Sequence, residues 1–114
     1  MGPIAINSLE PTEVFPGVHK RSLHCRFMTL TEYRFAPLAR FPDHVHPQEQ
    51  LSMVVEGEAI FIVAGAGHRT RTGEAMLIEP SAVHSVTAGS EGARVLSVVS
   101  PSRSGGESIL ILED

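Results

Sequence analysis

Residues 43–57, which read DHVHPQEQLSMVVEG, contain three side chains that can bind a metal ion. His44, His46 and Gln50 stand at even spacings, and residues two apart on a β-strand project from the same face of the sheet. Nitrogen and oxygen donors that converge on one face are what a divalent metal ion requires. The chain has six histidines, so a His-x-His pair also arises readily by chance. The segment therefore predicts three ligands of a metal site that the rest of the chain must complete.

Composition predicts a single globular domain, residues 1–114, with 42% hydrophobic residues. The formal net charge is -4 and the basic residues are dispersed, so neither nucleic acid nor an anionic membrane is an expected partner. No apolar run approaches the ~18 residues of a membrane span, and the first residues lack the pattern of a signal peptide. Cys25 is the single cysteine. We therefore expect no internal disulfide and a reducing, cytoplasmic compartment.

Short strands separated by glycine and proline predict an all-β fold, a sandwich or barrel. Residues 27–35 are rich in residue types that favour β-strands, at both odd and even positions, and predict a strand. Gly57-Glu58 predicts a tight turn between strands 50–56 and 59–63, and Gly89 to Gly92 predicts a loop. Residues 1–13, with two prolines, predict an arm or an edge strand. Further strands are expected at 19–26, 68–72, 75–78, 84–87, 94–100 and 109–112.

The strand at 50–56 predicts an assembly as well as a fold. Leu51, Met53 and Val55 lie on the face opposite Gln50, and all three are apolar. A sheet with apolar residues on both faces must have both faces covered. In so small a chain a second subunit is the expected cover, so the sequence predicts a homodimer.

A fourth metal ligand should come from a different strand. The best candidate is His84, which begins a strand just past Pro80 in the segment GEAMLIEPSAVHSV. The interval from Gly57 to Gly73 leaves room for two short strands that would fold this segment back across the first. Glu49 competes with Gln50 as a ligand, but it falls on the opposite parity from the histidines. The predicted ligands are His44, His46, Gln50 and His84.

Together, the two segments resemble the consensus motifs of the cupin superfamily. The first motif is a His-x-His, an acid or amide, and a glycine; the second runs from Gly-Asp or Gly-Glu to a proline-containing turn and a histidine. The matching residues are His44, His46, Gln50 and Gly57, then Gly73, Glu74, Pro80 and His84. The resemblance implies an RmlC-like jelly-roll β-barrel with one divalent metal ion. Leu38 and Ser81 stand where many cupins carry glycine in turns.

The ligand types predict the chemistry of such a site. Three neutral imidazoles and one neutral amide leave a divalent ion with its full charge, which favours Lewis-acid polarisation of a carbonyl or carboxylate oxygen. Imidazole suits Mn, Fe, Ni, Zn and Cu alike, so the ligands do not select the metal. The alternative is that the histidines only hydrogen-bond within a polar barrel mouth. The presence of both motifs favours the metal.

One type of cupin resembles this chain further. Small cupins of pectin and alginate degradation, which convert unsaturated uronates to linear keto forms, carry HPxEQ and a downstream Ser-Pro-x-Arg. This chain has HPQEQ at 46–50 and SPSR at 100–103. The resemblance implies that Arg103 pairs with a substrate carboxylate, ideally as a bidentate fork. In cupins generally, the strand that carries Tyr33 and Arg34 lines or flanks the pocket, so the resemblance makes each of the two a candidate for contact with substrate.

Three residues depart from that type. Ser97 and Val99 stand where an aspartate and a phenylalanine are usual, and Gly105 stands where a further aspartate is common. Loss of that further aspartate removes a plausible proton carrier.

Two classes of function remain open. One is a metal-dependent enzyme on a small oxygenated substrate such as a keto or uronic acid: an isomerase, lyase or cyclase, or a dioxygenase if the ion is iron. The other is a non-catalytic module that binds a small ligand or the metal. A positioned acid or base would discriminate between them, and the candidates are Tyr33, Glu49 and Glu79.

Overall fold

The described part of the chain, residues 2–103 and 109–112 of a computed structural model, is built from β-strands. Within these ranges the only helical element is a three-residue 3-10 turn at Ile6–Ser8, and none of the described helical structure could span a lipid bilayer. The predicted all-β fold is therefore confirmed. The strands are β1 (Thr12–Phe15), β2 (Val18–His24), β3 (Thr29–Phe35), β4 (Arg40–Val45), β5 (Glu49–Val63), β6 (Ala66–Arg71), β7 (Ala75–Ile78), β8 (His84–Ser100) and β9 (Leu110–Ile111).

Two long strands organise the barrel. β5 has 15 residues and β8 has 17, and they pair from end to end with bulges midway. The half of β8 that ends at Ser100 pairs with β3, which continues to β2 and β1. The half that begins at His84 pairs with β4, which continues to β9. β7 and β6 extend the first and second halves of β5. The sheet thus curls into two layers joined by β5 and β8, which is the jelly-roll architecture that the sequence predicts.

β5 bends at Gly57, where the sequence predicts a tight turn. Gly57 has a φ of +72°, and a Cβ atom there would lie 2.1 Å from the carbonyl oxygen of Gly92. Only glycine fits so close an approach at a positive φ. The predicted hairpin of 50–56 and 59–63 is wrong, because the glycine bends one strand from layer to layer without reversing it. The predicted loop at 89–92 is wrong for the same reason, since those residues belong to β8.

β4 is a strand that the sequence predicts only as extended pieces broken by prolines. It nevertheless carries His44, and its Pro42 lies where the pairing with β8 shifts register between Phe41 and His44. Proline is tolerated at such a bulge because no backbone N–H is required there. The two departures in turns, Leu38 and Ser81, have φ values of 63° and 64°. Both lie in the left-handed region that favours glycine.

The apolar core lies inside the barrel and reaches the histidines. The ring of Phe41 lies 4.8 Å from that of Phe15 and 5.8 Å from that of Tyr33, measured between centroids. Its centroid is also 4.3 Å from that of His44. The buried apolar side chains of the core are Val18, Phe35, Phe41, Val54, Ala59, Phe61, Ile78, Val86, Ala88, Ala93 and Val95.

Part of the outer face of the layer that contains β3 and the first half of β5 is also apolar. Strand register aligns one leucine or valine from each of five neighbouring strands in a row across this face. Leu51 and Met53 lie on it and are 48% and 44% exposed. We call this surface the outer apolar face. Its cross-strand row is Leu23, Leu30, Val98, Leu51 and Leu77.

Candidate metal centre and its pocket

The three histidines predicted as ligands meet at one end of the barrel. His44 on β4 and His84 at the start of β8 are cross-strand partners, and their ring centroids are 3.9 Å apart. His46 follows β4, with its ring centroid 4.9 Å from that of His84. All three are buried, and each offers a donor nitrogen within 4.8 Å of the other two. Donors around one ion lie about 3–4 Å apart, so the cluster is close to the size of a metal site.

Backbone carbonyls fix the tautomer of all three imidazoles. A carbonyl oxygen can only accept a hydrogen bond, so each Nδ1 that contacts one must carry the proton. In a neutral ring, Nε2 then carries a lone pair, the form that binds a metal. The three pairs are His44 Nδ1 with Pro42 O at 2.8 Å, His46 Nδ1 with Gln48 O at 3.1 Å, and His84 Nδ1 with Ala82 O at 2.8 Å.

Electrostatics keeps these rings neutral. Burial, followed by the nearby His84, lowers the pKa of His44 to about 3. Burial, followed by the positive charge of Arg103, lowers the pKa of His46 to about 4. Burial also lowers the pKa of His84. The rings therefore stay unprotonated at neutral pH, as metal binding requires.

Gln50 adds an oxygen to the cluster. Its Oε1 lies 2.9 Å from Nε2 of His46, and its Nε2 donates a hydrogen bond to Oγ of Ser52 at 2.8 Å. Because His46 carries its proton on Nδ1, its Nε2 and Oε1 of Gln50 each point a lone pair at the other. A cation bound to both atoms would stabilise this arrangement. Nε2 of His84 is buried and has no hydrogen-bond partner among the described residues. The residues present thus fit a cation, whereas the competing candidate Glu49 is exposed.

A small cavity of about 20 Å³ lies inside the barrel beside the histidines. That volume holds about one water molecule. One part of its wall is polar, with Oγ of Ser52 and Oγ of Ser97 2.7 Å apart beside His44 and Gln50, and the rest is apolar or aromatic. The lining residues are Tyr33, Phe35, Phe41, His44, Gln50, Ser52, Phe61, Val86, Val95 and Ser97.

Tyr33 and Arg103, the predicted substrate contacts, lie together near the histidines. Arg103 is only 6% exposed, and its backbone N–H donates to Oγ1 of Thr29 at 2.9 Å. Its side chain is hydrogen-bonded to Tyr33, where burial raises the pKa of the phenol more than the charge of Arg103 lowers it. Nε of Arg103 is buried without a hydrogen-bond partner in the described part of the chain. A buried guanidinium with a spare donor can bind an anion.

Other residues that the sequence singles out lie elsewhere. His19, His24 and His68, the histidines outside the two motifs, are exposed. Arg34 is half-exposed and pairs with Glu32. Glu79, one of the candidate acids, is exposed too. Gly105 lies outside the described residues.

Gln48 is a site residue that the sequence analysis missed. Its side chain is buried, and its carbonyl oxygen accepts the Nδ1 proton of His46. The contact is made by the backbone carbonyl in the turn between β4 and β5, so no side-chain pattern in the sequence indicates it.

Comparison with known proteins agrees with this geometry. The cupin domain family matches residues 31–99. An RmlC-like cupin from Shewanella frigidimarina is 23% identical over 87% of this chain and 89% of that one, with a TM-score of 0.79. KdgF from a Halomonas species is 21% identical over 92% and 98% of the two chains, with a TM-score of 0.82. Oxalate decarboxylase from Bacillus subtilis is 18% identical over 96% of this chain and 31% of that one, with a TM-score of 0.84.

No curated protein matches the sequence. At these identities the solved structures establish a shared fold, and the family match at 31–99 spans more than half of the chain. Both agree with the two motifs and the converging histidines. The chain belongs to the cupin family.

Proposed function

We propose that this cupin holds one divalent transition metal ion and uses it on a small substrate that bears a carboxylate. The ligands are His44, His46, His84 and Gln50. The observation that carries the proposal is the convergence of three buried, neutral imidazoles, each with Nδ1 committed to a backbone carbonyl. The ion is Mn, Fe, Ni, Zn or Cu, since neutral nitrogen ligands suit all five.

When bound, the metal would supply Lewis-acid polarisation of a substrate oxygen, undiminished by any charged ligand. Arg103 binds the substrate carboxylate through the spare donor of its buried guanidinium. Tyr33 stays protonated because its pKa is raised by burial. Its hydroxyl can therefore donate a hydrogen bond, or a proton, to a substrate oxygen that gains negative charge.

The cavity limits where the substrate can lie. The space beside His44 and Gln50 accommodates about one water-sized group, so most of the substrate lies outward, at the barrel mouth. A keto or uronic acid derived from a sugar meets these requirements, since it carries an oxygen on the carbon next to its carboxylate. An isomerase or lyase reaction is the type best matched to a Lewis acid with one proton donor. The matched oxalate decarboxylase, named for a small dicarboxylate, supports a carboxylate substrate.

A non-catalytic binding module is the second candidate. It is favoured by one observation: the candidate carboxylates Glu49 and Glu79 are exposed, and no described carboxylate joins the histidine cluster. Such a module would bind small keto or uronic acids without converting them. An iron-dependent dioxygenase becomes the better description only if the purified protein holds iron.

Elemental analysis of protein purified without a histidine tag tests the metal site. We expect about one divalent ion per chain, retained through dialysis. The variant His44→Ala with His84→Ala should lose the ion, whereas His68→Ala, at an exposed histidine, should retain it. A wild-type chain that takes up none of the five metals, or equal losses in all variants, would contradict the proposal.

Turnover and binding assays with a panel of 2-keto acids and uronic acids test the substrate class. Arg103→Lys keeps the charge but loses the planar fork, so we expect about tenfold weaker binding of carboxylate ligands. Metal content should be unchanged. Arg34→Lys, at a half-exposed arginine of the outer surface, is the matched control. Binding without turnover across the panel would favour the non-catalytic module.

We also propose that a second copy of the chain covers the outer apolar face. Leu51, Met53 and Leu77 are 48%, 44% and 58% exposed, and five strands about 4.8 Å apart make the face about 20 Å wide. A self-complementary apolar face of that width is suited to an isologous dimer. Light scattering at micromolar concentration should give a dimer for the wild type. Leu51→Glu should give a monomer and Ile60→Glu, on the other layer, a dimer; a wild-type monomer rules this assembly out.

The cytoplasm remains the expected compartment. Cys25 is free and partly buried, which is compatible with a reducing environment. Cell fractionation that finds the protein outside the cytoplasm would contradict this.

A further inference from the structure

A row of hydroxyl groups crosses the inside of the barrel next to the proposed ligand Gln50. Strand register aligns Ser22 on β2, Thr31 on β3, Ser97 on β8 and Ser52 on β5. Thr31, Ser97 and Ser52 are 4%, 4% and 0% exposed. Buried hydroxyls need hydrogen-bond partners, and these bond in two pairs, Ser22 with Thr31 at 2.9 Å and Ser52 with Ser97 at 2.7 Å. The second pair contacts the amide of Gln50.

An amide side chain has two nearly isosteric ends, and only its oxygen can bind a cation. Gln50 directs Oε1 toward Nε2 of His46 at 2.9 Å, and its other end donates to Oγ of Ser52 at 2.8 Å. Ser52 can accept that hydrogen bond and still satisfy its own proton, which has Oγ of Ser97 as an acceptor. The pair thus gives the amide nitrogen a partner on the side away from the histidines.

We infer that Ser52 and Ser97 are positioning residues that hold the amide of Gln50 with its oxygen directed at the metal. The role requires the proposed metal site. It also defines what the serine at position 97 does in this chain: it acts as a neutral partner for Ser52 and not as a proton carrier. Without Ser52, the amide nitrogen would be buried without an acceptor, and rotation of the amide would turn a non-ligating N–H₂ toward the site.

Calorimetric titration with Co²⁺, together with the visible absorption of the bound ion, tests this role. Ser52→Ala should weaken Co²⁺ binding by about 10–100-fold, the usual effect of removing a partner of a metal ligand. Its absorption spectrum should also change as the amide oxygen is lost. Ser22→Ala, in the same hydroxyl row but bonded only to Thr31, is the matched control and should bind Co²⁺ as the wild type does.

The Gln50→Glu background separates orientation from packing. A carboxylate presents an oxygen to the metal whichever way it is turned, so Ser52→Ala in this background should change affinity by no more than about twofold. Equal losses with and without the Gln50→Glu substitution would overturn the positioning role and leave the metal site intact. A wild-type chain that does not bind Co²⁺ would overturn both. If Ser52→Ala does not fold, Ser97→Ala provides the same comparison, with a smaller loss expected only where Gln50 is retained.

Discussion

Two regions of this barrel bury polar groups. In only one of them do the buried groups find hydrogen-bond and ion-pair partners within the described part of the chain. On the outer surface, the carboxylate of Glu32 is fully buried and paired with three arginines. The contacts measure 3.3 Å to Arg21, 3.3 Å to Arg34 and 2.6 Å to Arg94. Burial raises the pKa of Glu32, but the hydrogen bonds from Arg94 and Arg34 outweigh it and bring the pKa below its usual range. Glu32 therefore remains charged, with its oxygens occupied.

The barrel mouth has the opposite character. Nε2 of His84 and Nε of Arg103 are buried, and neither has a hydrogen-bond partner among the described residues. A buried polar atom without a partner costs about 1–3 kcal/mol of stability. The proposed metal ion and substrate carboxylate would supply the missing partners of these two atoms. The two regions therefore differ in that the Glu32 carboxylate is paired within the fold, whereas these atoms are not.

The largest effect on stability should come from removing Glu32 from its cluster of arginines. Glu32→Ala leaves three arginines without their common partner, and we expect the free energy of unfolding to fall by about 3 kcal/mol. Glu58→Ala is the control, because Glu58 pairs with Arg69 at the exposed surface, where water screens such pairs and they contribute little to stability. Urea denaturation of the metal-free proteins measures both. Similar losses for the two variants would remove the distinction between the buried and the exposed pair.

A substitution of His84 at the barrel mouth should change the stability of the protein only when metal is bound. Metal at 100 times its Kd should stabilise the wild-type protein by about 2.7 kcal/mol. His84→Ala removes a ligand, so this increment should disappear, while the metal-free variant unfolds within about 1 kcal/mol of the wild type. Thermal unfolding with and without added metal measures both quantities. A metal-independent loss as large as that of Glu32→Ala would mean that His84 serves the fold.

The site was more predictable from the sequence than its surroundings. The even spacing of His44, His46 and Gln50 predicts that they lie together on one face of a single strand. They do lie together, but His44 is on β4, Gln50 is on β5 and His46 lies between the two strands, so the turn after β4 also positions them. His84 could be added because a second motif ends in a histidine. Tyr33 and Arg103 came only from resemblance to a type of cupin. Their mutual hydrogen bond depends on how β3 and the segment after β8 approach each other, which no local pattern encodes.

The wrong predictions, a hairpin at 50–63 and a loop at 89–92, have a common physical origin. Gly57 and the glycines at 89–92 signal a change of direction, and local sequence cannot distinguish a reversal from a bend between layers. The choice depends on tertiary contact: the carbonyl of Gly92 would lie 2.1 Å from any Cβ at Gly57. Glu32 illustrates the same dependence on tertiary contacts. Three arginines from β2, β3 and β8 surround its carboxylate, and no local pattern indicates that they meet there.

The smallest expected effect is on the pH dependence of stability. It involves the histidines at the barrel mouth and not the Glu32 cluster. The pKa values of His44 and His46, about 3 and about 4, lie below the ~6.5 of an unfolded chain. As the pH falls from 7 to 5, the unfolded chain therefore takes up protons that the folded metal-free protein refuses, and stability decreases. Linkage limits the slope to about 1.4 kcal/mol per pH unit for each histidine, and water at the mouth reduces it. His44→Gln, which cannot titrate, should flatten the slope by one histidine's share. Because this window lies above the range in which carboxylates titrate, the Glu32 cluster stays ionised throughout. An equal slope in wild type and His44→Gln would show that the ring of His44 is not kept neutral by burial.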